Sequence, residues 1–163
     1  MNPKPDKLMP SLYGGLLIAT IWAVPGLNFL NCFCCAGVLV GGFLAVLLYQ
    51  KDSSKGMEPL TRDDCTQLGI FTGLISAVAG VIIQYLVIAA FGDVMIEMMM
   101  RIVERMNVEM PPEYYELIET AKTAERSLFS FILDIFFMGL INTLFAFLGA
   151  LIGWKVFQPK PVQ

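Results

Sequence analysis

The chain has 163 residues, of which 56% are hydrophobic and 15% charged, a net charge of −3 and not one histidine. Its mean hydropathy of +0.68 is that of a membrane protein rather than a soluble domain. The missing histidines exclude His-ligated haem, Ser-His catalysis and His-based proton relays or metal sites.

Four long apolar runs take up more than half of the sequence, at about 11–31, 34–50, 68–91 and 128–157. A bilayer core of about 30 Å needs roughly 20 apolar residues per helix, so each run is a candidate span. The expected fold is all-α: a single four-span membrane domain over 1–163. The alternative, four buried helices of a soluble protein, would require water to tolerate unusually long uncharged stretches.

The first run follows Lys4 and Lys7, as a signal peptide would. No small-residue cleavage site is evident and the second run follows almost at once, so it reads as a retained helix. Residues 31–35 form a tight turn containing Cys32, Cys34 and Cys35. The Cys32-Phe-Cys-Cys35 spacing can support thiol exchange. Four-helix enzymes that pass electrons from disulfides to quinone share this outline, but they need a second cysteine pair in the opposite outer loop. The 93–126 segment has none. Small apolar residues packing at a helix turn is the favoured reading; a metal site is the remaining one.

The second run carries Gly37, Gly41 and Ala45 at four-residue spacing; the third carries Gly69, Gly73 and Ala77. The fourth carries Ala146 with Ala150 and Gly149 with Gly153. Such stripes let helix backbones approach where hydrophobic burial supplies no drive. They point to packing, within the chain or against a partner.

The tails and the 51–67 loop carry Lys4, Lys7, Lys51, Lys55, Arg62, Lys155 and Lys160, which outnumber their acids. The 93–126 connection sets Arg101, Arg105, Lys122 and Arg126 against twice as many acids. Basic loops stay cytoplasmic, so both termini are expected inside and the acidic segment outside. That segment reads as two helices broken at Pro111-Pro112. Met95, Met99, Ile102 and Met106 form an apolar stripe on the first, and Tyr114, Leu117, Ile118 and Ala121 on the second. Its methionines, including Met98, Met100 and Met110, offer soft ligands for copper(I), but adaptable packing is the ordinary use of methionine.

Asp134 is the one acid inside an expected span. Intramembrane carboxylates are candidates for ion or proton coupling, but its place near the start of the last run also suits the interface. Asn142 and Gln84 are expected to bond across helices. Trp22 and Trp154 suit interfacial anchoring or packing.

Taken together, these features resemble a family of small bacterial membrane proteins of unknown function. The matching elements are Tyr13-Gly14-Gly15 in the first run and a short first hairpin. Thr61-Arg62-Asp63-Asp64 then leads into Gln67-Leu68-Gly69-Ile70-Phe71-Thr72-Gly73. A Met/Glu-rich segment with Pro111-Pro112 precedes a Gly-rich last run. The resemblance implies a four-helix protein of the bacterial inner membrane and carries over no activity or catalytic residue. The expected role is a non-enzymatic accessory or scaffold subunit. It would need no cofactor or metal and no nucleic acid, and its partners would be the lipid bilayer and a homo-oligomer or larger membrane complex. A small transporter or channel using Asp134 and Asn142 is the second reading, and a thiol-redox protein using Cys32 and Cys35 the third.

Overall fold

The computed structural model describes residues 4–24, 27, 35–52, 60–92, 94–106, 111–123 and 128–157. Among them the structure is all-helical. Six helices follow in order: α1 (Leu8–Ala23), α2 (Ala36–Asp52), α3 (Arg62–Phe91), α4 (Val94–Arg105), α5 (Pro112–Thr123) and α6 (Leu128–Phe157).

Local chemistry sets the ends. Asp6 Oδ1 accepts from the Leu8 N–H at 3.0 Å, and Pro10 falls in the first turn of α1, where its missing N–H costs nothing. α1 stops at Ala23, well short of the expected 31, because Val24 turns extended ahead of Pro25, as residues preceding proline do. α3 starts on a capping box. The Thr61 hydroxyl accepts from the Asp64 N–H at 3.2 Å, and Asp64 Oδ2 accepts from the Thr61 N–H at 3.2 Å. It ends at Gly92, whose φ of 74° is open to glycine at no steric cost. α5 opens on Pro112, in the position a helix tolerates best. The last run coincides with α6; the third coincides with α3 beyond its first turn and a half.

α3 and α6 are each 30 residues long and apolar enough to cross a membrane; α1 is a shorter apolar helix. At ~1.5 Å per residue the two long helices reach about 45 Å, beyond a hydrocarbon core of about 30 Å.

Four helices form a bundle in which α1 and α2 lie beside α3 and α6 respectively. The α3–α6 interface is the most extensive, followed by α1–α3 and α2–α6; α1–α2 is smaller and α2–α3 smaller still. Neighbouring positions give the directions. Gly15 meets Thr72 and Ala19 meets Gly80, so α1 and α3 run parallel. Gly69 meets Phe147 and Gly73 meets Thr143, so α3 and α6 run antiparallel. The chain therefore goes up, down, up and down. The 93–126 connection contains α4 and α5, and neither forms an interface of comparable extent with the bundle or with the other.

Inside and outside are reversed relative to a water-soluble bundle. α6 buries Gly139, Asn142, Ala146, Gly149, Ala150 and Gly153, while Leu133, Phe136, Phe137, Leu140, Ile141, Leu144 and Leu148 are exposed. α3 buries Gly69, Thr72, Gly73, Ser76, Ala77 and Gly80 and exposes Ile70, Phe71, Leu74, Val78 and Ile82. Larger apolar side chains are buried in two clusters. Val46, Tyr49, Leu60, Cys65, Leu68 and Ala150 gather near the chain's start, against Trp154 and Phe157. Ile18, Val38 and Ala146 form the other, against Trp22 and Cys35.

Candidate functional site

The small residues act first, because they decide which helices touch. A Cβ at Gly73 would collide with the Thr143 backbone, and one at Gly69 would stand 2.6 Å from Phe147 Cα. A Cβ at Gly149 would strike the Leu39 carbonyl, and one at Gly41 the Ile18 side chain. Gly153 and Ala45 face Val46 and Gly14; Gly37, Ala77, Ala146 and Ala150 are buried. These stripes are thus used between helices of the same chain. Gly42, absent from the four-residue stripe, meets the Ala146 carbonyl as closely as any. Gly14 and Gly15 on α1 also make close approaches, against the Gly41 carbonyl and Ile75.

Three polar constellations remain. At the bundle end that holds the N-terminal tail, Asp64 is buried, its side chain 3% exposed, between two lysines. Lys7 Nζ lies 2.7 Å and Lys4 Nζ 3.3 Å from Asp64 Oδ1. The Thr61 hydroxyl donates to Oδ2 at 2.6 Å, and Lys7 also donates to Gln67 Oε1 at 2.7 Å. Burial pushes the Asp64 carboxyl up. The hydrogen bonds from Lys7 and from the hydroxyl and backbone N–H of Thr61, together with the Lys7 charge, outweigh it and hold the carboxyl at about 2. Next to it, burial and the Asp64 charge push the buried Cys65 thiol up to about 12, against a smaller opposing effect of Lys7, which leaves it unreactive. This latch ties the N-terminal tail to the start of α3. Sequence reading used Lys4 and Lys7 as charges ahead of the first run and Thr61, Asp64 and Gln67 as part of the family resemblance, without pairing them; the one local structural cue was the Thr61-x-x-Asp64 capping pattern.

The second constellation lies mid-bundle. Asn142, 1% exposed, donates through Nδ2 to Ser76 Oγ at 3.1 Å. Ser76 in turn donates to the Gly73 carbonyl at 2.8 Å. Asn142 Oδ1, Thr72 Oγ1, Thr143 Oγ1 and Trp22 Nε1 are buried without a partner. The cross-helix bond expected of Asn142 is present, with Ser76 as its partner.

The third lies two turns further out along α6. Asp134 is exposed and accepts from the Tyr85 hydroxyl at 2.9 Å, while the Tyr85 ring stands edge-on to Phe131 at 5.1 Å. Asp134 and Asn142 share a face of α6 at eight-residue spacing, but Asp134 sits at the open end and Asn142 in the core.

Cys32 and Cys34 lie outside the described residues. Cys35 is half-buried at the start of α2 with a left-handed φ of 56°, packed against the Ile18–Val38–Ala146 cluster. On α4, Met98 and Met100 are half-buried, and Met106, just past its end, is exposed. A scan against protein-family models and searches of curated proteins and of solved structures each return no match for this chain.

Proposed function

We propose that the chain is a multi-pass protein of the bacterial inner membrane with all four bundle helices embedded and both tails cytoplasmic. It acts there as a non-enzymatic accessory or scaffold subunit. The observation that carries the membrane reading is the reversed distribution of residues along α3 and α6. Glycine, alanine, serine, threonine and asparagine fill the contacts, and leucine, isoleucine and phenylalanine face outward. In water that outer face would be a large aggregation-prone patch; in lipid it is the solvated surface, and small residues are what helix contacts require. α1 and α2, with 16 and 17 residues, are short for a span. Lys4, Lys7 and Lys51 flank them at one end, and long cationic side chains there reach back to the interface.

Support for the accessory role comes from where unpartnered surface remains. The glycine faces are occupied inside the bundle. α5 exposes Tyr114, Tyr115 and Leu117, and α4 exposes Ile102, with Met106 exposed just past its end, without a broad interface to the bundle. These apolar side chains, set among Glu97, Glu104, Glu113 and Glu116, offer a contact surface outside the membrane. The test is native mass analysis of the tagged full chain drawn from bacterial membranes in mild detergent, beside a Tyr114→Glu/Leu117→Glu variant. A complex of fixed stoichiometry that the variant loses supports the role. A monomer, or a complex indifferent to both substitutions, refutes it.

A further inference from the structure

The mid-bundle cleft carries hydrogen-bonding capacity that the chain itself does not use. Trp22, Ser76, Gly80, Gln84, Met138 and Asn142 line it, between α1, α3 and α6. The Ser76 proton is committed to the Gly73 carbonyl, so Ser76 meets Asn142 as an acceptor. With the hydroxyl so oriented, the amide nitrogen faces Ser76, since a flip would set two acceptors against each other. Asn142 Oδ1 is therefore an acceptor with no donor, and Trp22 Nε1 a donor with no acceptor. Both residues line one cleft, and their two atoms do not serve each other. An unmet polar group in hydrocarbon is costly, and two of opposite sense on residues that line one cleft point to a ligand that meets both. Thr72 and Thr143, also unpartnered, do not line the cleft, and a helical threonine hydroxyl can rotate onto its own backbone.

Packing does not require the glycines at this level. A Cβ at Gly80 would stand 3.8 Å from Ala19 Cα, and one at Gly139 3.8 Å from Ala77 Cβ, both ordinary contacts. About two and three turns deeper along α3, at Gly73 and Gly69, a Cβ would collide with backbone. The helices thus part from Gly80 outward. The cleft is a narrow opening to the exterior, about 180 Å³ with the adjoining exterior space counted in, and between its walls as they stand there is no room for a water. Met138 and Gln84 at its walls are flexible side chains that an entering group would displace.

We propose that this cleft binds the hydroxyl-bearing head of an uncharged amphiphile, the hydroxyl accepting from Trp22 Nε1–H and donating to Asn142 Oδ1. A hydroxyl supplies both functions from one atom. A carbonyl would leave Asn142 unmet, and a phosphate would bring a charge that no lysine or arginine lines the cleft to meet. The apolar chain lies along the outward faces of α3 and α6, where Ile82 and Ile141 are exposed. This site rests on the membrane embedding proposed above.

The chain supplies its own reporter, because Trp22 and Trp154 are its two tryptophans. In W154F, reconstituted in phosphatidylcholine nanodiscs, Trp22 emission is followed against brominated diacylglycerol, which has a free hydroxyl, and against brominated phosphatidylcholine with the same tails. Diacylglycerol should quench saturably, at a mole fraction lower by roughly fivefold or more, the factor that one net hydrogen bond supplies. W154F with Asn142→Leu should lose that preference, and so should W154F with Gly80→Ala, which narrows the cleft without a backbone collision. Equal quenching by the two lipids overturns the site and leaves membrane embedding standing. A preference that survives both variants places the hydroxyl elsewhere and also overturns it. Quenching by neither lipid removes Trp22 from the reach of lipid, and the site and the embedding reading both fall.

Discussion

The sharpest test of the packing compares two glycines of the same interface. Gly69 and Gly139 both lie between α3 and α6. A Cβ at position 69 would stand 2.6 Å from Phe147 Cα, and one at 139 would stand 3.8 Å from Ala77 Cβ. Ordinary contact begins at 3.4 Å, so Gly69→Ala forces α3 and α6 apart by about 0.8 Å, against backbone that cannot swing aside. Overpacking of this kind costs about 1–3 kcal/mol, partly offset by up to ~1 kcal/mol of helix propensity gained over glycine. The expected net loss is about 1–2 kcal/mol. Gly139→Ala meets no collision and keeps the propensity gain, so it should be neutral or stabilising by up to ~1 kcal/mol. Unfolding of each variant by SDS titration in mixed micelles, read by tryptophan fluorescence, measures both. Equal effects of the two substitutions, or a more stable Gly69→Ala, would refute the assignment of Gly69 to a backbone contact.

Three further outcomes follow from the polar groups and the charge distribution. The Asp64 carboxyl is held at about 2, below its ordinary 3.8. The native state therefore binds fewer protons than the unfolded one as pH falls through this window. The stability it supplies is full above about pH 4 and lost toward pH 2, worth about 1–2 kcal/mol after screening at the chain's wet end. Asp64→Asn should flatten that slope in detergent unfolding between pH 5 and 2 while lowering stability at pH 7. Cys65, buried and pushed up to about 12, should resist maleimide at pH 7.5 in the folded protein and label promptly in SDS; prompt native labelling would contradict its burial. In a cysteine-free background, Glu116→Cys should react with an impermeant maleimide from outside intact spheroplasts and Lys51→Cys only after permeabilisation. The reverse pattern would invert the proposed topology.

The long helices were legible because an apolar run specifies a helix by its length alone, and α6 follows its run from Leu128 to Phe157. The end of α1 was less legible, because apolar residues continue past Pro25 while the backbone before a proline cannot stay helical. The small-residue stripes announced contact without naming the partner. Successive helical residues point about 100° apart. Gly41 on α2 therefore faces α1 while Gly42 faces α6, and a search for four-residue spacing along one face passes over the second. The Lys4–Lys7–Asp64 latch joins residues about sixty apart in sequence, and no local pattern reports such a pairing. Asp134 and Asn142 look alike on a hydropathy trace. Only the packing separates an exposed carboxylate beside Tyr85 from a core amide beside Ser76.

The unequal helix lengths tie these features into one gradient along the bundle. Lys7, the residue just before α1, is level with Asp64 and Gln67 on α3, so α1 and α3 start together. α1 ends at Ala23 and α3 continues to Phe91. Ala19 is already level with Gly80. Beyond Val81 no described residue of α3 is buried, and none of α6 before Gly139. Among the described residues, the outer third of each long helix thus leaves the four-helix packing. α3 and α6 are linked there by the Tyr85–Asp134 hydrogen bond and the Tyr85–Phe131 ring contact. At the other end, glycines lock four backbones together and a buried carboxylate clamps the tail. Helix packing thins from the clamped end to the open one. The cleft at Trp22 and Asn142 sits where that change occurs, the level at which a bundle can admit a ligand without surrendering its glycine contacts. It is also the level from which α3 and α6 lead outward to α4 and α5, the helices that carry the proposed partner surface.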